Sequence, residues 1–194
     1  MTTKEKIFEE SLTLFSQNGY NGTSVDQIAE RVGIKAPSLY KHYKGKEDIL
    51  NAIIDAAEER YEEYFGSDKN IGKIPESKAE FIQMTLDKIL FTMHDPLIGK
   101  IWRFLVQEQF RSERLAEITT RHQLDGIQRM YTKIIEEMMS KGIFKEDDPA
   151  QLAMELTAPV VLLISKADRQ PQYDSEIIES IEKFIRHFCD VYMD

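Results

Sequence analysis

The chain has 194 residues, of which 42% are hydrophobic and 30% charged, with a net charge of −9. That is enough apolar material to fill a core, so disorder is excluded as the main state. The acidic sum argues against a surface that is basic all over, the usual mark of a nucleic-acid binder.

The distribution of charge says more than the sum. Residues 1–50 hold seven Lys/Arg and seven Asp/Glu, so the remainder carries the whole excess of acid. Within the neutral part, Arg31, Lys35, Lys41, Lys44 and Lys46 follow one another with no acid between them. A small basic face on an acidic molecule can approach a polyanion through one surface and repel it elsewhere. The single cysteine, Cys189, cannot close an internal disulfide. Met1 to Lys6 are polar, and the longest aliphatic run, Val160 to Ile164, is far below the ~20 residues of a membrane helix. A cytoplasmic protein with no membrane contact is expected.

Taken in order, the elements read as helices throughout, with no repeat and no clean alternation of strand type. Lys4 to Asn18 carries Phe8, Leu12 and Phe15 on one stripe and stops at Asn18-Gly19. Ser24-Val25-Asp26-Gln27 has the form of a capping box and opens a second helix. Val25, Ile28, Ala29 and Val32 mark its apolar face, and Gly33 ends it. A third helix is expected from about Ala36 to Tyr43, with Pro37 in its first turn. A fourth begins at Lys46 and reaches Tyr64 or Phe65. After a loop over 66–75, helices are predicted over Ser77–His94, from Asp95-Pro96 to Phe110, over Ser112–Ser140, from Asp148-Pro149 to Lys166 with Pro159 inside, and over Ser175–Tyr192.

A short capped helix, a glycine turn and a second short helix make a helix-turn-helix. On a helical wheel Ala36, Leu39 and Tyr43 share one side and form the inner face. Pro37, Ser38 and Lys41 point the other way, with Tyr40 and His42 on the flanks. The outward arc therefore offers a hydroxyl, an ammonium, a phenol and an imidazole to base edges or phosphates. Lys46 opens a helix, where a cation is mildly unfavourable, so a phosphate held by both the helix end and the ammonium is expected there.

Residues 4–50 resemble the DNA-binding domain of the TetR (tetracycline-repressor-type) family of transcriptional regulators. The resemblance is carried by Phe15…Gly19-Tyr20, by Thr23 to Ala29, by Val32-Gly33-Ile34, and by Ser38 to Leu50. It implies an all-α fold: an N-terminal three-helix DNA-binding domain, residues 1–47, joined by a long helix to a helical-bundle domain, residues 48–194, for effector binding and dimerisation. It also implies a homodimer on double-stranded DNA with a palindromic operator, and a small-molecule effector that releases a repressor from it. With Ala36 at the start of the third helix, the expected DNA-binding set is Thr23, Ser24, Lys35, Ala36, Pro37, Ser38, Tyr40, Lys41, His42 and Lys46. Of these, Tyr40 and Lys46 are expected mainly on phosphate. Many members place a small polar cap where this chain has Lys35, so the operator sequence does not transfer. An activator of the same architecture, and a ligand-binding protein without a DNA role, are the alternatives.

Beyond residue 65 the signals are compositional. Phe91, Trp102, Phe104, Phe110, His122, Gln123, Met130 and Tyr131 are the candidates for an effector pocket, and this mixture suits an apolar or aromatic ligand. Leu152, Leu156, Leu163 and Ile164 on one helix, with Ile177, Ile181, Phe184 and Phe188 on the last, are the candidates for the dimer interface. Each set is open to the plainer explanation of core packing. An enzyme is not expected. The four histidines are scattered without metal-ligand spacing, no glycine-rich phosphate loop or nucleophile motif is present, and no cofactor is implied.

Overall fold

Helix α1 runs Thr3–Asn18, α2 Val25–Val32, α3 Ala36–Leu39 and α4 Lys46–Phe65. Then come α5 Lys78–His94, α6 Pro96–Glu108, α7 Glu113–Thr120, α8 Gly126–Ser140, α9 Pro149–Arg169 and α10 Asp174–Tyr192. This computed structural model describes residues 1–66 and 72–193, so most of the loop expected over 66–75 lies outside the described residues. Among the described residues the one extended pairing is a bridge between Phe144 and Met193. The all-α class read from the sequence is what the structure has.

The starts and stops follow local chemistry. The Ser24 hydroxyl accepts from the Gln27 N–H at 3.2 Å while the Gln27 side chain accepts from the Ser24 N–H at 2.7 Å, the reciprocal cap the sequence predicts. Gly33 ends α2 at φ 78°, a left-handed conformation that costs a residue with a Cβ energy. Asp95 and Asp148 each cap a helix that begins with proline.

One long helix was expected over 112–140, and the structure divides it. Between α7 and α8, residues Arg121–Asp125 form a wider, π-type turn. Its closing N–H, on Gly126, donates to the Arg121 carbonyl five residues back. A Cβ on Gly126 would stand 2.8 Å from that carbonyl oxygen, so the turn depends on glycine. Pro159, in contrast, sits inside a continuous α9.

By packing, the chain divides into two compact units, 1–64 with 94–119, and 65–93 with 120–193. These cut across the boundary at residue 47 drawn from the sequence. The first unit is cored by Ile7, Leu12, Phe15, Ile28, Leu39, Ile49 and Ile53, joined by Ile101 and Phe104 of α6. In the second, α8 packs along α9 and α10 packs on α9. Phe81, Tyr131, Phe144 and Phe188 form a chain of ring contacts in its core. Helix α9 is long and apolar enough to span a membrane by length and composition, but Leu152, Ala153, Leu156, Thr157 and Val160 are buried as core of this unit.

Candidate DNA-binding surface and effector cavity

The third helix is shorter than predicted as regular α-helix, but the backbone continues to turn. The Tyr43 N–H donates to the Leu39 carbonyl at 3.1 Å and the His42 N–H to the same oxygen at 2.9 Å. Leu39 is fully buried and Tyr43 is 5% exposed, while Ala36 packs against the same core. These inward anchors fix what faces out. Lys35, Pro37, Tyr40, Lys41 and His42 are exposed, Tyr40 at 55%, and Ser38 is half-buried. The inner and outer faces are those of the helical wheel.

The expected set does not all reach that surface. Thr23 is 1% exposed, and its hydroxyl donates to the Gly19 carbonyl at 3.0 Å. It closes the loop between α1 and α2. Ser24 is exposed, although its hydroxyl already serves the cap of α2. Lys46 differs most from expectation. Its ammonium donates to the carbonyls of Tyr20 and Thr23 at 2.6 and 2.8 Å and lies 4.2 Å from the centre of the Tyr20 ring. Burial pulls it below the usual lysine range, against the upward pull of Glu108. The cation is thus used inside the protein, to hold the α1–α2 loop against the start of α4. Glu108 is 2% exposed, lies 3.2 Å from the Arg111 guanidinium, and packs so closely on Gly19 that a Cβ there would stand 2.6 Å from its Oε1.

The expected pocket residues are not brought together. Phe104 is fully buried in the core of the first unit, and Trp102 packs edge-on to Tyr61 in that same unit. Phe110 is 90% exposed. His122 and Gln123 are half-buried in the wide turn. Met130 is core, and Phe91 packs edge-on to Phe65. Tyr131 alone of the eight lines the cavity that the second unit does contain.

That cavity has a volume of ≈ 40 Å³. One side is a face of α5 bearing Thr85, Lys88, Ile89 and Thr92, spaced i, i+3, i+4 and i+7. Opposite stand Leu156, Thr157, Val160, Val161 and Ile164 of α9. Phe65, Ile127 and Tyr131 complete it. Lys88 is the charged member among the described lining residues, its ammonium 4.9 Å from the centre of the Phe65 ring. Burial holds it below the usual lysine range. Burial also pushes the Tyr131 phenol up to about 12, with the Thr85 hydroxyl beside it acting in the opposite sense. The sequence carried one signal for this site: a lysine on the otherwise apolar stripe of α5.

The expected interface residues are mostly interior. Leu152, Leu156, Ile177, Ile181 and Phe188 are at most 3% exposed within this single chain, so they are core of the second unit. Leu163, Ile164 and Phe184 are half-buried, and Ile164 lines the cavity. The apolar side chains α9 does leave outward are Met154, Ala158 and Leu162, at i, i+4 and i+8, with Leu162 69% exposed.

A buried-core helix-turn-helix with a polar, basic outer arc, followed by a helical bundle with an internal cavity, defines a DNA-binding regulator of bacterial type in its architecture. Residues 7–53 match the family of bacterial regulatory proteins called tetR, so the N-terminal quarter of the chain belongs to that family. Over 52 residues the chain is 46% identical to IcaR of Staphylococcus epidermidis, described as the negative transcriptional regulator of the biofilm operon icaADBC. The IcaR of Staphylococcus aureus (strain Newman) is 45% identical over 51 residues. The first match spans 27% of this chain and 28% of that relative, so the chain spans under a third of the curated relatives it matches. Among solved structures, SmeT in complex with triclosan superposes at a TM-score of 0.76, with 17% identity, over 100% of this chain and 93% of that one. SmeT is described as the repressor of the Stenotrophomonas maltophilia multidrug efflux pump SmeDEF. The likeness shows a common fold over the whole chain.

Proposed function

We propose that this chain is a sequence-specific DNA-binding transcriptional repressor, released from a palindromic operator when a small molecule occupies the second unit. One observation carries the reading. Leu39 and Tyr43 are buried so as to leave Lys35, Pro37, Tyr40, Lys41 and His42 on one outward arc. The ammonium groups give affinity through phosphate, and the phenol, imidazole and proline ring give contacts that depend on the base. The identity to IcaR, itself a negative regulator, falls on this same region. Lys46 and Thr23 act by positioning: they hold the loop from which Ser24 and α2 start.

A second copy of the chain is the partner we assign to the outward face of α9, around Met154, Ala158 and Leu162. A two-fold pair presents two recognition arcs, and such dimers read half-sites about 34–36 Å apart or a multiple of that. The effector releases DNA only by binding one arrangement of the pair better than the other. A bacterial cytoplasmic location follows from this role.

Selection of random-sequence DNA by the purified protein at two salt concentrations tests the proposal. A palindromic site should emerge, bound more weakly at the higher salt, and Tyr40→Ala and Lys41→Ala should each weaken it. Absence of any enriched sequence at either salt would overturn it.

A further inference from the structure

The cavity of the second unit is amphipathic, and its two sides differ in kind. The α9 side supplies Leu156, Val160, Val161 and Ile164, all aliphatic. The α5 side supplies the Lys88 ammonium between Thr85 and Thr92, one helical turn to either side. The Thr85 hydroxyl is 1% exposed and makes no hydrogen bond of good geometry. A buried polar group in that condition forfeits a bond that a ligand atom would restore. We propose that the effector is an amphipathic monoanion, its single anionic head held by Lys88 and the Thr85 hydroxyl and its apolar body laid along the aliphatic face of α9. This rests on the repressor reading and names the ligand class for it.

The chemistry of the head follows from the donors. Ammonium and hydroxyl both donate, so the complementary group is an acceptor with negative charge, a carboxylate above all. A cationic head would meet Lys88 with like charge in a poorly solvated site. A neutral head would leave the ammonium without the compensation that burial calls for. Such a ligand is larger than the space now present. The ≈ 40 Å³ of the cavity suits a few waters, while ligand pockets are commonly ~300–1,000 Å³. Two wall helices have irregularities beside the cavity where widening costs least. In α9, Pro159 removes a backbone donor between Thr157 and Val160. In α8, the wide turn closed by Gly126 immediately precedes Ile127.

Isothermal titration of the full chain with decanoate, decanol and decylammonium, each below its aggregation threshold, tests this. Decanoate should bind about tenfold or more tightly than either isostere. Lys88→Met should abolish that preference while Lys88→Arg keeps it, and thermal melts of both variants show that they are folded. Equal binding of the three probes, a preference for decanol or decylammonium, no binding of any, or a decanoate preference that survives in Lys88→Met would each overturn the inference. The selected operator, measured on the same protein, separates the two levels. Operator binding in a protein that ignores decanoate refutes the ligand class alone, whereas a protein that binds no DNA refutes the repressor reading.

Discussion

Lys46→Met asks what the first residue of α4 does. The substitution keeps an unbranched side chain against the Tyr20 ring but removes a cation that donates to two carbonyls at 2.6 and 2.8 Å. Hydrogen bonds from charged donors contribute about 1.5–3 kcal/mol each, and a cation over an aromatic face about 0.5–1 kcal/mol at exposed sites. Lys46 is half-exposed and recovers only part of its desolvation, so the total is discounted to roughly 2–3 kcal/mol. For a chain of this size that is a fall of roughly 5–10 °C in Tm. The second readout is the salt dependence of operator affinity, where each phosphate contact contributes about 0.9 to the slope of log K against log salt. Because the ammonium is bonded internally, Lys46→Met should leave that slope at the wild-type value, and Lys41→Ala should lower it by about 0.9. A slope reduced by one contact in Lys46→Met, with Tm unchanged, would refute the internal role and restore a phosphate role.

Four further outcomes are expected. Asp95 caps α6 through the Leu97 and Ile98 N–H groups, both at 3.0 Å, and pairs with Arg60 at 2.8 Å; burial would raise its carboxyl, but these bonds hold it below 3.8. Asp95→Ala should cost about 1–2 kcal/mol near neutral pH, and because the folded-state pKa is depressed, the gap between variant and wild type should close as pH falls below the ordinary carboxylate range, as urea melts at several pH values will show. Gly126→Ala drives a Cβ into the Arg121 carbonyl and should destabilise by about 1–3 kcal/mol, read by thermal circular dichroism. Cys189 is fully buried and its thiol is pushed up to about 12 by that burial, so it should resist a disulfide reagent at pH 8 until the protein is unfolded. Leu162→Glu should shift the protein toward monomer in sedimentation equilibrium without lowering Tm, since that side chain is 69% exposed in the single chain.

The helix-turn-helix was legible because its signals are local. A capping box, a left-handed glycine and a proline in a first turn act within four residues of one another, and the structure reproduces them at Ser24, Gly33 and Pro37. The division of 112–140 was not legible, because Arg121–Asp125 contains neither proline nor glycine; only Gly126, after the turn, marks it, and a lone glycine inside a helical pattern has several explanations. Lys46 misled because the helix dipole it opposes is seen in sequence, whereas the carbonyls of Tyr20 and Thr23 reach it only through the fold. The interface stripes failed for a related reason. Helix α9 is apolar on more than one side, and periodicity does not say which side meets α8 and α10 and which is left outward. Large aromatics pointed away from the cavity because they fill space well; the gap lies among threonines and branched aliphatics, where packing is less complete.

The most direct test of the central claim is methylation protection of the selected operator in the major groove, with wild type and a Tyr40→Ala/Lys41→Ala double variant side by side. Two patches of protected guanine N7, related by the operator's symmetry and about one helical turn or a multiple apart, both lost in a double variant that melts like wild type, are what the account predicts. A single asymmetric patch, or two patches retained in full by the double variant, would contradict it.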